Sequence, residues 1–173
     1  MKKLVLIGYM GCGKSTISLE LSKKLQIPVV DLDNIIEENQ KISIQKIFEI
    51  KGELYFRKIE HQLFSEIIES NAPMIISTGG GTPCYFNNHL LLQNNNICSI
   101  YLKGSVDTLF TRIQQDDKTK RPLLSNLNDL EAKEFIAKHL FERSFYYHQA
   151  SNSVTIDNKS VDQISNEIIN LLT

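Results

Sequence analysis

Net charge is almost absent from this chain: 19 lysines and arginines stand against 20 aspartates and glutamates, leaving a formal −1 over 173 residues. That balance argues against a general nucleic-acid binder or a membrane-surface protein and leaves room only for a local basic patch. Cysteine is scarce as well. Cys12, Cys84 and Cys98 are odd in number and carry no metal-ligand spacing, so no disulfide framework is implied and a reducing cytoplasm is the expected compartment. No apolar run is long enough to span a membrane. Repeats, low-complexity tracts and linkers are missing too, so residues 1–173 are expected to form one domain with a full core. The remaining composition, 42% hydrophobic and 23% charged, is that of an ordinary soluble globular protein.

What is present is organised around Gly8-x-x-x-x-Gly13-Lys14-Ser15-Thr16, the spacing of a phosphate-binding P-loop. Leu4, Val5, Leu6 and Ile7 before it read as a buried parallel strand. Lys2-Lys3 ahead of them imitates the start of a secretory signal, and Cys12 behind Gly11 imitates a lipoprotein cleavage site. Four apolar residues before Gly8 fall short of a signal core, so a strand is the expectation. Ile17, Leu21 and Leu25 recur every four residues, which puts them on one helix face. Glycines let the backbone approach an anion, and the new helix offers unpaired N–H groups and its positive dipole end. Gly11, Cys12, Gly13, Lys14, Ser15 and Thr16 are therefore candidates to bind a nucleoside triphosphate. Lys14 is expected to reach the β- and γ-phosphates, and Ser15 to ligate Mg²⁺.

Strand and helix patterns then alternate. Residues 27–31, 74–77, 97–102 and 154–156 read as strands. Residues 35–70 read as mainly helical with Gly52 as punctuation, and 89–93, 106–113, 131–151 and 161–172 as further helices. Repeated units of this kind imply an α/β fold, a parallel sheet covered by helices on both faces. Ligands of such sheets gather beyond the carboxyl ends of the strands, where the P-loop, Asp31-Leu32-Asp33 and Thr78-Gly79-Gly80-Gly81 all fall.

In an extended segment alternate residues point to opposite sides, so Asp31 and Asp33 are expected to do different jobs. One would hold Mg²⁺ through water and the other would accept a proton or hydrogen bond from an attacking hydroxyl. A cap on the following helix is the alternative for Asp33. Arg57 and Arg143 read either as ordinary surface arginines on helices or, if they converge, as charge assembled for an anion. Residues 114–129, rich in charge and carrying Arg121, are expected to form a lid over a triphosphate; a plain solvated connection is the alternative.

These residues together resemble the shikimate kinase family. The likeness covers nearly the whole chain: Gly8-x-Met10-Gly11-x-Gly13-Lys14-Ser15-Thr16, Asp31-x-Asp33-x-x-Ile36-Glu37, Gly52-Glu53-x-x-Phe56-Arg57-x-x-Glu60, Ser77-Thr78-Gly79-Gly80-Gly81, Arg121-Pro122-Leu123-Leu124 and Arg143-x-x-x-Tyr147-x-x-Ala150. The P-loop alone is shared with many kinases; five further motifs in order are specific. The resemblance implies a three-layer P-loop kinase fold with a five-stranded parallel sheet in order 2-3-1-4-5. It adds a helical substrate-binding segment (33–61) and a lid loop. It implies ATP-dependent phosphorylation of the 3-hydroxyl of shikimate by a cytoplasmic monomer, with Mg²⁺ as cofactor and neither nucleic acid nor membrane as partner. Asp33, Arg57, Gly79, Gly80, Gly81 and Arg143 correspond to shikimate-contacting positions, with Asp33 catalytic alongside Lys14 and Arg121. Ser15 and Asp31 correspond to the magnesium side, Arg121 to the lid arginine and Arg112 to an arginine near the adenine. Lys41 stands where the family usually has glycine. A gluconate kinase, or a non-catalytic nucleotide-binding module on the same fold, are the competing readings.

Overall fold

The structure, a computed structural model, describes residues 3–115 and 127–172. Strand β1 (Lys3–Ile7) lies at the centre of the sheet, every residue of it buried. It pairs in parallel with β3 (Ile75–Ser77) on one side and β4 (Ile97–Lys103) on the other. The outer strands, β2 (Val29–Asp31) and β5 (Asn152–Thr155), pair in parallel with β3 and β4. The order is β2-β3-β1-β4-β5, the one the resemblance implies. The helices are α1 (Lys14–Leu25), α2 (Leu32–Gln40), α3 (Ile44–Glu69), α4 (Asn88–Leu91), α5 (Val106–Gln115), α6 (Asp129–Tyr147) and α7 (Val161–Asn170), with a 3₁₀ turn over Thr82–Cys84. Among the described residues no helix is long and apolar enough to cross a membrane.

Element types agree with the sequence pattern, while some ends differ for reasons of local chemistry. The helix expected over 131–151 begins earlier and stops earlier. Asn128 accepts from the Glu131 N–H while Glu131 answers to the Asn128 N–H, a reciprocal cap that starts α6 at Asp129. Helix α3 is bent where Gly52 takes φ 81° and ψ 167°, outside the helical region. Its second half buries Phe56, Leu63, Phe64 and Ile68, and on that same face Glu60, which is completely inaccessible. Ile59 and Ile67 on this half are only partly covered.

Lys3 is a charged residue within the buried central strand. Its stem lies in the core and its ammonium donates to the carbonyls of Ile68, at 2.9 Å, and Ser70. It thus closes the C-terminal end of α3, where a positive charge meets unpaired carbonyls.

Lys41 ends α2 in the left-handed conformation, φ 56° and ψ 23°, where a side chain is strained and glycine is not. This left-handed turn is made with a lysine, at the position where the resemblance implies glycine. Lys41→Gly is therefore expected to stabilise the protein by about 0.5–1 kcal/mol, read as a raised urea midpoint at unchanged slope. A lowered midpoint would mean that the lysine side chain contributes more than its backbone costs.

Candidate active site

The P-loop leaves β1 through Gly8, φ 146°, where a Cβ would lie 2.8 Å from the Leu102 carbonyl oxygen. It enters α1 through Gly13, φ 95°, and that helix has no side-chain cap. The first N–H groups of α1 therefore remain open to an acceptor from outside the chain. They face a cavity of about 610 Å³ at the carboxyl ends of the strands, walled by the P-loop, Asp31, Asp33, residues 77–80 and Arg112.

Lys14 is folded back over its own loop. Its ammonium donates to the Gly8 carbonyl at 2.8 Å and the Tyr9 carbonyl at 3.0 Å, with Cys12 Sγ 3.6 Å away. Gly11, Gly13, Ser15 and Thr16 line the cavity with Lys14. Cys12 differs from them: its side chain is wholly buried, its N–H donates to the Tyr9 carbonyl and its own carbonyl accepts from Arg112. The amide is consumed in the turn rather than aimed outward.

The two aspartates do not diverge as an extended strand would dictate. The chain turns helical directly after Asp31, so Asp33 sits in the first turn of α2 and both line one cavity. The cap is Asp31, not Asp33: Asp31 Oδ1 accepts from the Asp33 N–H at 3.0 Å and the Asn34 N–H at 3.3 Å. Its other oxygen, Oδ2, accepts from Ser15 Oγ at 3.4 Å. Asp33 is thereby relieved of a capping role. Burial, reinforced by the negative charges of Asp31 and Glu60 and opposed by Lys14 and Arg57, raises its carboxyl to about 6. That is the range in which a carboxylate can take up a proton near neutral pH.

Beyond the cavity wall the glycine segment is gripped from both sides. Arg57 Nη1 donates to Glu60 Oε2 at 2.8 Å and Nε to Glu53 Oε1 at 3.3 Å. The guanidinium lies so close to Gly81 that a Cβ there would be 2.7 Å from Nη2. Arg143 comes from α6 and approaches Gly80, whose Cβ would be 3.7 Å from its Nη1; it also bonds the Tyr147 hydroxyl. Both arginines lower the Cys84 thiol, although burial dominates and pushes it up to about 11. The two therefore converge, on either side of one loop, with Asp33 Oδ1 near Gly79. They are not equivalent. Arg57 is already paired with a buried carboxylate, whereas Arg143 makes no ion pair with a carboxylate among the described residues. An expectation of uncompensated charge holds for Arg143 alone.

Arg112 reaches the cavity from α5, donating to the carbonyls of Cys12 at 3.1 Å and Ile156 at 3.5 Å. Arg121 and most of the expected lid lie outside the described residues; Gln114 and Gln115 at its start belong to α5, and Asp129 at its end to α6.

Three supporting residues had no role assigned from the sequence. Glu60 Oε1 accepts from Thr82 Oγ1 at 2.7 Å, so one buried carboxylate ties Arg57 to the turn after Gly81. Asn88 donates to the Thr82 carbonyl at 2.8 Å. Tyr147, fully buried, donates to the Gly80 carbonyl at 2.6 Å. Glu60 did leave a signal, a lone charge in the apolar spacing of Phe56, Leu63 and Phe64. The other two depend on which distant segments meet.

Comparison with known proteins bears on the same arrangement. A family profile described as Shikimate kinase matches residues 10–173. A shikimate kinase of Flavobacterium johnsoniae is 55% identical over 172 residues, covering 99% of both chains. Among solved structures, a shikimate kinase from Bacteroides thetaiotaomicron superposes with a TM-score of 0.89 at 31% identity, covering 99% of this chain and 98% of that one. Another, from Acinetobacter baumannii in complex with shikimate, gives 0.87 at 25% identity, covering 99% and 93%. With the phosphate loop, the sheet order and near full-length similarity all agreeing, this chain belongs to the shikimate kinase family.

Proposed function

We propose that the chain transfers the γ-phosphoryl group of MgATP to the 3-hydroxyl of shikimate, giving ADP and shikimate 3-phosphate on the route to chorismate. The observation that carries this reading is the convergence of Arg57 and Arg143 on the glycine segment, with Asp33 close to Gly79 and the P-loop cavity adjoining. Two guanidinium forks suit a carboxylate, which they can hold in bidentate fashion. The hydroxyl then faces Asp33, which orients it and takes its proton as the oxygen bonds to Pγ and the bond to the bridging oxygen of ADP breaks. Phosphoryl transfer asks mainly for positioning and charge neutralisation, and Lys14 and Arg121 are assigned to the latter. Ser15 Oγ and Asp31 Oδ2, hard oxygen donors 3.4 Å apart on the cavity wall, suit Mg²⁺, Asp31 through water because its Oδ1 is committed to the cap. Bound there, the ion supplies charge neutralisation at the β- and γ-phosphates. Arg112 is assigned to the adenine side.

A coupled ADP-release assay over a panel of hydroxy acids tests the reading. Shikimate is expected to be turned over, with gluconate slower by at least about 10²-fold in kcat/KM. Equal turnover of gluconate would reinstate the sugar-acid kinase reading, and absence of any turnover the non-catalytic module.

Arg143→Ala gives the cleaner test of the clamp, since Arg57→Ala would also strand Glu60. Shikimate affinity is expected to fall by roughly 2–5 kcal/mol, with ATP affinity hardly changed, both read by calorimetric titration. Unchanged shikimate affinity would remove Arg143 from the site.

A further inference from the structure

The segment after the glycines carries an aromatic residue that the family motifs quoted above do not include. The Tyr85 ring lies over the Arg57 guanidinium, 4.1 Å from Cζ to the ring centroid. Its hydroxyl donates to Glu53 Oε1 at 3.1 Å, the same oxygen that accepts from Arg57 Nε at 3.3 Å. Phe56 approaches the same group at 5.0 Å, while Glu60 holds Nη1. Nε, Nη1 and the guanidinium face are thus each engaged within the chain, and two of those engagements pass through Tyr85. Resting on the reading that shikimate's carboxylate is the anion bound here, we propose that Tyr85 is a positioning residue for carboxylate recognition, holding the Arg57 fork in one orientation by stacking on its face and bracing Glu53.

The chemistry favours the ring as the main agent. A guanidinium over an aromatic face is attracted by the ring quadrupole, and more so away from bulk water. A long arginine otherwise spends rotamer freedom when it binds, and fixing it beforehand removes part of that cost. Burial raises the Tyr85 hydroxyl above the usual phenol range, outweighing the opposing pull of Arg57. At neutral pH the group stays a donor to Glu53. Tyr85 is itself only partly buried, so a truncation there opens no core cavity.

Steady-state kinetics on Tyr85→Phe, Tyr85→Leu and Tyr85→Ala test the proposal, with binding of the carboxamide analogue of shikimate as control. Tyr85→Ala is expected to raise the shikimate KM about tenfold, with kcat and the ATP KM within about twofold. Phe, which keeps the ring, should stay within about threefold of the native enzyme. The carboxamide, lacking the charge that Arg57 reads, should bind the native and Ala proteins alike. Tyr85→Leu keeps bulk without a π face and carries the test if Ala does not fold. A shikimate KM unmoved in Ala and Leu overturns the proposal, as does an equal loss for the carboxamide or an equal rise in the ATP KM, which would mark general loosening. A loss in Phe as large as in Ala overturns the role of the ring. If native protein fails to phosphorylate shikimate, the functional reading itself falls, an outcome visible before any variant is made.

Discussion

Lys14→Met is expected to lower turnover by about 10²-fold or more, because the transition-state charge on the transferring group would lose its fixed cation. The structure adds a second, smaller consequence. Lys14 donates to the Gly8 and Tyr9 carbonyls, so methionine removes a donor from each, with Tyr9 keeping the Cys12 N–H, a cost of about 1–3 kcal/mol in stability. The lysine has two alternative sets of acceptors, its own loop and a triphosphate. Anionic oxygens make the stronger hydrogen bonds of the two, so MgATP should draw the ammonium off the carbonyls. The variant should accordingly lose most of the MgATP-induced rise in Tm while keeping a native circular-dichroism spectrum. A folded variant within tenfold of native kcat would remove Lys14 from phosphoryl transfer.

Asp33→Asn is expected to produce opposite changes in activity and stability. Turnover should fall steeply, with a smaller change in shikimate KM, because the amide preserves shape but has neither the charge nor the basicity. Stability without ligand should rise. In the folded protein the carboxyl titrates at about 6 rather than at its ordinary 3.8, so the folded state holds its proton where the unfolded state has released it. The unfolded chain thus binds fewer protons between those values, and raising the pH through this window destabilises the fold. The cost is complete above about 6 and amounts to at most about 3 kcal/mol. Asparagine abolishes it, so urea unfolding at pH 7.5 should show a more stable variant and at pH 4 little difference. In the native enzyme kcat/KM for shikimate should rise with pH through about 6, since only the ionised form can accept the proton. A variant within a few-fold of native kcat would leave Asp33 a positioning group. One that is also destabilised would mean that the charge is compensated in the folded state.

Asp31 and Asp33 show where reading along the chain loses its hold. Two carboxylates at the end of a strand are legible as site residues, but strand geometry alone sends them to opposite sides. The helix begins directly after Asp31, and that single turn brings both to one cavity and makes Asp31 the cap. Arg57 is a second instance. Its place in a motif was plain, whereas its charge balance rests on Glu60, one turn further along α3 and wholly buried. A charged residue inside an apolar stripe does signal a buried partner, and the Phe56, Glu60, Leu63 spacing contains that signal. Tyr147 and Tyr85 carry none, because an aromatic residue at a helix end or in a loop is ordinary in composition. Their meaning comes from the Gly80 carbonyl and the Arg57 guanidinium, each contributed by another segment.

By itself the sequence determined the phosphate loop, the alternation of strands and helices, and the set of residues gathered at the strand ends. Each depends on spacing within a few residues: glycines where backbone must approach an anion, short apolar runs for strands and an apolar period of four for a helix, and a residue's distance from its strand's carboxyl end. Tertiary structure alone decided that Glu60 is buried against Thr82 while it pairs with Arg57, that Arg143 reaches Gly80 without a carboxylate partner among the described residues, and that burial raises the Asp33 carboxyl to about 6. Desolvation is set by whatever folds against a group, and those neighbours, as with Glu60 and Thr82 or Arg143 and Gly80, lie tens of residues away along the chain.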